Sequence, residues 1–495
     1  MRAPRKKPGR RIAPVISARL GNHIALEARA DGSLAASFEG HSVGLGKFSA
    51  AAVARAQDLP TGLPLDSFAS HRRAVDKEID LLVRRLARSG LLEYRLGDAS
   101  GNEDRVVIEP QLADYWPQAP KLDETATVVL SRFAYLRRRG KEMVLESPRA
   151  GALFRICDPE IAAALAMLST PRQIRQFRRQ AVFPGIELLG LLVHCQILFM
   201  VGGGDGLRPS EGNDNLVLWD FHDLLFHTHS TEGRQANPLG GLYPYAGVMP
   251  PPPAVRPSWP GKKIDLRRFS AAPSETLTPF VKLLHERHSM REFDDGRPIT
   301  LAELARFLDG AARIQSKWKG RLDLGEGDDG PEITYAARPY PSGGSAYELE
   351  LYLTVSNCEG LPRGFYHYDA DRHALVPVGA RAPEFETQLA SAEFAIDAPA
   401  APQILITIAA RFGRTAWKYS SIAYALILKD VGVLMQTLYL MATDMGLGGC
   451  AIGTGNIDLF AKMTGIEFHV EGPVGQFALG RGRIDSNQSA NGSLR

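Results

Sequence analysis

Two arginines and a serine alternate in the segment Glu286-Arg287-His288-Ser289-Met290-Arg291-Glu292-Phe293. At i, i+2 and i+4, Arg287, Ser289 and Arg291 can converge on a dianionic phosphate, because guanidinium offers a fixed fork of donors and serine adds a hydroxyl. An ordinary solvated surface fits the same triplet. A lysine beside a tyrosine, in Trp417-Lys418-Tyr419-Ser420, opens a long helix. Burial and neighbouring arginines would lower such a lysine toward neutrality and suit it to proton transfer; a surface lysine beside a packed aromatic is the plainer reading. The paired glycines of Pro341-Ser342-Gly343-Gly344-Ser345 let backbone N–H groups approach a flat ring or a phosphate, or simply make a turn. The run Gly446-Leu447-Gly448-Gly449-Cys450-Ala451-Ile452-Gly453-Thr454-Gly455-Asn456 is small enough to admit a planar ligand. It lacks the Gly-Lys-Ser/Thr ending of a P-loop, and it follows a helix rather than a strand, unlike a dinucleotide fingerprint. Arg481 and Arg483 flank Gly482 and either return to the site at Arg287 or stay solvated. His222, His227 and His229 lie close to Asp223, but their spacing fits no ligand pattern, so no metal site is expected.

These residues need elements to position them. The chain has 495 residues, enough for about three domains. Its net charge of +3 is too small to argue for nucleic-acid binding by bulk electrostatics. Arg2, Arg5, Lys6, Lys7, Arg10 and Arg11 crowd the start and read as a solvated tail or a binding arm. No apolar run follows them, so no secretory signal is expected. The stretches 187–201 and 422–442 are apolar but carry polar residues, including Lys429 and Asp430 in the second. Both read as buried helices rather than membrane spans. Cys157, Cys195, Cys358 and Cys450 show no paired spacing, and a reducing cytoplasm is the expected location.

Residues 13–112 read as strand, strand, helix, glycine stop, strand, turn, strand, the order of a winged helix, with Ile79, Leu82, Val83 and Leu86 on one helical face. Residues 122–230 repeat that plan loosely, with a short helix opened by Asp158 and Pro159 and a second over 186–198. Residues 231–275 form a Pro-rich linker around Met249-Pro250-Pro251-Pro252-Pro253. The final domain, 276–484, mixes helices and strands. Thr300 caps a helix over 301–310, residues 317–330 read as an exposed loop, 348–355 and 403–409 read as strands, and a long helix spans 420–445.

In this order, ERHSMREF, RPYPSGGSAYELELYL, WKYSSIAYALILKDVGVLMQTLYLMATDMGLGGCAIG and GPVGQFALGRGR resemble the nitroreductase superfamily. Within it they resemble the SagB-type, cyanobactin-oxidase-like azoline dehydrogenases, and WDFHDLLFHTHSTEGR resembles the segment preceding the flavin domain there. The resemblance implies an α+β fold, FMN as cofactor, and a homodimer with each flavin at the subunit interface. It implies oxidation of thiazoline or oxazoline rings to thiazole or oxazole in a ribosomally made precursor peptide, with oxygen reoxidising the flavin and a cyclodehydratase as partner enzyme. It assigns Arg287, His288, Ser289, Arg291 and Arg481 to the flavin phosphate and ribityl chain. Ser342, Gly343 and Gly344 fall on a flavin-contacting turn, Ile452 and Gly453 on the backbone facing the flavin N5 edge, and Lys418 and Tyr419 on the catalytic pair. Family members commonly follow that pair with glycine, a charged residue and arginine, and carry a histidine after an Ala-Gly pair. Here Ser420-Ser421-Ile422-Ala423 follows the pair, and Val433 follows Val431-Gly432. These departures bear on the substrate, not the flavin site.

Two rival functions stay open at this point. One is a generic NAD(P)H-dependent nitro- or quinone reductase; the other is a flavin-sensing DNA-binding regulator. The N-terminal units would bind the precursor's leader through backbone pairing. On the rival reading, Arg84, Arg85 and Arg88 would make the helix over 79–89 a DNA-reading helix.

Overall fold

A computed structural model describes residues 14–29, 31, 33–38, 41–97, 104–113, 115–177, 185–201, 211–236, 240–269, 277–323, 325 and 329–483. The basic N-terminal tail, the turn at 98–103 and the glycine turn after Val201 lie outside them. The chain divides into two compact units, residues 1–236 and 237–495, and the whole is α+β.

In the first unit the helix Ala74–Arg88 buries Ile79, Leu82, Val83 and Leu86, and the chain reverses at Gly90, whose φ of 68° suits glycine. The strands Leu92–Gly97 and Val106–Pro110 follow as an antiparallel pair. Two separate winged-helix units do not follow from this order. Val106–Pro110 also pairs with Ala152–Ile156, Phe154 facing Ile108. One seven-stranded sheet thus runs through both halves of the unit, from Leu63–Pro64 at one edge to Tyr135–Arg139 at the other. A single apolar core spans it, from Ala18 and Leu34 to Leu188 and Leu198. The helix Pro159–Ala166 is capped by Asp158, as its sequence predicts. The later helix stops at His194 rather than 198.

The second unit is built on a six-stranded antiparallel sheet. Its spatial order is Ala374–Pro377, Gly364–Asp369, Leu349–Val355, Ile404–Arg411, Glu471–Gly480, Gly448–Ile452. The central strands ILITIAAR and EGPVGQFALG are buried almost throughout. A continuous apolar run of this kind marks a strand covered on both faces. Thr300 and Glu303 form a capping box that starts the helix Leu301–Ala312. The long helix, Ala423–Asp444, buries Ile427, Val431, Leu434, Leu438 and Ala442. It has the length and apolarity to cross a membrane, and a third of its most apolar window is buried in the fold. Within the stretch read as a loop, the described residues are largely strand: Ser316–Asp323 and Asp329–Ala337 pair antiparallel, with Trp318 stacked on Tyr335. The first strand is mostly exposed, so no alternating apolar pattern betrays it.

Candidate active site

The arginine–serine segment leaves the helix Pro279–Glu286, which Thr278 caps through Val281 N–H. Beyond Arg287 the chain is pinned to the sheet. Met290 N–H donates to Gly449 O at 2.9 Å, and Phe293 bridges Gly482. Ser289 Oγ lies 2.8 Å from Tyr439 Oη, which accepts Ala451 N–H at 2.8 Å. The Arg287 guanidinium sits 5.2 Å over the Tyr439 ring, within cation–π range. Arg287 and Arg291 have no ion pair among the described residues, and Arg291 is exposed. Two unneutralised guanidiniums beside a tethered serine hydroxyl have the donor set that a phosphate needs. His288 is exposed and turns its Nδ1 to Glu286 O at 2.9 Å, away from that set.

Arg481 does not join them. Its Nη2 lies 2.7 Å from both Glu303 carboxylate oxygens, and its Nε donates to Arg297 O. The guanidinium holds the Glu303 carboxyl below its usual range, chiefly by this hydrogen bonding. Arg481 therefore ties the last strand to the helix Leu301–Ala312. Arg481→Ala is expected to lower the urea midpoint by the equivalent of about 1–2 kcal/mol while leaving flavin affinity within about threefold, as separate titrations would show.

The glycine run after the long helix is also tighter than a ligand platform. A methyl group at Gly448 would strike Met290, and one at Gly449 would strike Phe477, so the protein's own side chains fill that space. Space opens at Gly453, which is exposed, with nothing within 4 Å of the place where a Cβ would stand. Ile452, at the strand end, is buried beside it.

Lys418 and Tyr419 are not on the long helix. They follow the short helix Phe412–Ala416, where both backbone N–H groups return to Thr415 O, and the long helix starts only at Ala423. Lys418 Nζ donates to Gly344 O at 3.1 Å and stands 5.4 Å over the Tyr419 ring. Gly344 has φ of 59°, and any Cβ there would overlap Tyr419 Oη and Lys418 Nζ. Lysine, tyrosine and glycine turn therefore form one constellation. Lys418 is exposed in this chain, not buried as expected of a proton-transfer lysine.

Two carboxyls that sequence reading passed over lie beneath the turn. Asp430 Oδ2 accepts Gly343 N–H at 2.9 Å and the Ser342 hydroxyl at 2.8 Å. Glu348 Oε2 lies 3.3 Å from the same hydroxyl. Glu348 is fully buried. Burial, with Asp430's negative charge nearby, pushes its carboxyl up to about 7 from an ordinary 4.5. Between those values the folded chain binds more protons than the unfolded one, so stability falls as pH rises from about 4.5 to about 7. Glu348→Gln should flatten the dependence, as urea midpoints at pH 5 and pH 8 would show. The signal for Asp430 was present in the sequence, as a carboxylate in the middle of a mainly apolar helix.

The long helix carries both clusters, since Asp430 underpins the glycine turn and Tyr439 the arginine–serine segment. Nine residues separate them, about 14 Å of axis and about two and a half turns. At about 100° per residue they leave opposite flanks of the helix, so the arginine–serine segment and the glycine turn attach to different sides of it.

Comparisons with known proteins bear on the family. Residues 284–481 match the nitroreductase family model. A protein of Methanocaldococcus jannaschii named as nitroreductase MJ1384 is 31% identical over 173 residues, covering 34% of this chain and 76% of that protein. The chain belongs to the nitroreductase family. Residues 128–236 match a second model, cyanobactin oxidase ThcOx. That stretch includes the helix Phe221–Ser230, where His227 is buried and stacked on Trp219 while Asp220 caps the helix by accepting His222 N–H and keeps the exposed His222 ring beside it. Among solved structures, a nitroreductase from Ralstonia eutropha is similar at 22% identity, over 43% of this chain and 89% of that one, with a TM-score of 0.31. A chain of the Escherichia coli microcin synthetase McbBCD complex, with truncated pro-MccB17 bound, is similar at 19% identity, over 57% of this chain and 98% of that one, with a TM-score of 0.37.

Proposed function

We propose that this oxidoreductase is an FMN-dependent dehydrogenase that aromatises thiazoline or oxazoline rings in a ribosomally made precursor peptide. The observation that carries the reading is the convergence of Lys418 and Tyr419 on Gly344, in a chain matching both a nitroreductase and a cyanobactin oxidase model. The residues present fit FMN. Arg287, Ser289 and Arg291 would take its phosphate and ribityl chain, and the open space at Gly453 beside Ile452 would face its ring. FMN supplies the hydride acceptor. Lys418 Nζ removes the proton from the ring carbon that lies next to the carbonyl and the C=N bond, with Gly344 O aiming the amine and Tyr419 Oη beside it to steady or relay the proton.

Opposite flanks on the long helix support a homodimer, in which one copy's phosphate donors and its partner's lysine turn share a pocket. Pairing would also supply the burial that Lys418 lacks in one chain. The first unit would hold the leader. Its edge strand Tyr135–Arg139 leaves Leu136 exposed and offers unpaired backbone for an added strand. DNA reading by the helix Ala74–Arg88 is less well supported, because Arg85 turns inward to Leu45 O and Arg84 is held by Asp80 and the Trp116 ring. A cyclodehydratase would make the ring this protein oxidises.

The test uses the full chain. The purified protein should show a flavin visible spectrum, and an azoline-bearing peptide should lose two hydrogens per ring by mass spectrometry. A colourless protein that takes up no added FMN removes the reading. NADH consumption with a nitroaromatic, without azole formation, replaces it with the generic reductase.

A further inference from the structure

Glu348 and Asp430 take no part in the chemistry just described, yet they meet directly under the residues that do. Asp430 holds the turn by two hydrogen bonds, one from Gly343 N–H and one from the Ser342 hydroxyl. The same hydroxyl accepts Tyr347 N–H at 3.0 Å and stands 3.3 Å from Glu348. Glu348 Oε1 is buried without a hydrogen-bond partner. A buried carboxylate with an orphan oxygen beside a second carboxylate is costly unless one of the two carries a proton.

The surrounding charges relieve it only in part. Arg414 attracts Glu348 through space, but its Nε and Nη2 hydrogen-bond Ala346 O and Thr334 O rather than the carboxyl. Arg338 donates to Leu349 O and lies 4.0 Å from Glu350. Arg411 gives Glu348 only its backbone N–H, and its guanidinium is 3.6 Å from Glu350. Tyr340 is fully buried close by, its hydroxyl without a partner and pushed up chiefly by burial. Among the described residues, only Lys418, on the far side of the turn, brings a cation to Gly344 O.

We infer that Glu348 in its acid form and Asp430 as carboxylate are a positioning pair that fixes the Ser342–Gly344 turn, and through Gly344 O the direction of Lys418 Nζ. The inference rests on the proposed role of Lys418, but its geometry stands without it. Ionising both carboxyls sets two like charges around one serine hydroxyl. The turn then loosens and the lysine loses its anchor. Proton loss from Glu348, with its carboxyl at about 7, would place that change near neutral pH.

The test needs neither substrate nor flavin. Surface lysines of the full chain are reductively methylated at pH 6 and pH 8, and the Lys418 rate is divided by that of Lys317, an exposed lysine paired with Asp371. The ratio should rise at least threefold from pH 6 to pH 8 in the wild type. In Glu348→Gln, a mimic of the acid form, it should stay at its pH 6 value. In Asp430→Asn it should already be high at pH 6. An infrared carboxylic-acid band that titrates near neutrality in the wild type and is missing in Glu348→Gln would identify the proton. A flat wild-type ratio, or a Glu348→Gln ratio that still rises, overturns the inference. So does a band unchanged in Glu348→Gln. Failure of azole formation with these results intact would instead remove the proposed reaction and leave the positioning pair standing.

Discussion

Lys418→Ala is expected to bind FMN with unchanged affinity and to lose azole formation by about 10²–10⁴-fold, the range that a single positioned proton-transfer group supplies. The geometry separates the two properties. Lys418 reaches Gly344 O and the Tyr419 ring and has no contact with the arginine–serine segment. Removing it costs no buried partner, because it is exposed in the chain, so stability should hold. Tyr419→Phe should fall between wild type and Lys418→Ala, since it keeps the ring under the amine and removes only the hydroxyl. Retained turnover in Lys418→Ala, measured as hydrogen loss per ring, would strip the lysine of its role. Loss of FMN together with turnover would show that the residue serves the flavin.

The double variant Arg287→Ala/Arg291→Ala should do the reverse. Each charge-assisted hydrogen bond to a phosphate is worth about 1.5–3 kcal/mol, so losing both should weaken FMN by about 10²–10⁴-fold. Fluorescence titration of the flavin-free protein reads this directly. At saturating FMN, turnover should recover to within about tenfold of the wild type, because the lysine turn is untouched. The contrast with Arg481→Ala makes the experiment decisive. All three arginines lie near the same strand end, but only Arg481 is locked to a carboxylate in the fold. If Arg481→Ala weakens FMN as much as the double variant, the Glu303 pair is not what holds Arg481 when FMN is bound.

Local chemistry wrote much of this structure plainly. The Thr300–Glu303 box, the Asp158 cap, and the apolar stripe Ile79, Leu82, Val83, Leu86 each specify an element within a few residues. So do the buried runs of the central strands. What escaped depends on partners distant in the chain. The pairing of Val107 with Arg155 fuses the two expected N-terminal units, and no periodicity within either predicts it. The paired strands 316–323 and 329–337 carry Lys, Gly and Asp and are joined by backbone pairing, the Trp318–Tyr335 stack and the Lys319–Glu332 ion pair, so they carry no binary pattern. Arg481 was expected at the phosphate, but Glu303 claims it from another element. The glycines at 448 and 449 were legible as small; that Met290 and Phe477 fill the room they leave was not. Lys418 was found as a residue but misplaced by one turn of chain, because Ser421 at φ of 57° breaks the run before the long helix starts.

The division of labour across the long helix has a genetic corollary on the two-chain reading. A copy crippled in its arginines and a copy crippled in its lysine are complementary alleles. When they associate, both lesions fall into one of the two shared cavities, and the other is assembled wholly from sound parts. Two inactive parents would then produce a hybrid with half its capacity restored, whereas any protein whose donors and lysine served a single copy's own cavity would stay dead in every mixture.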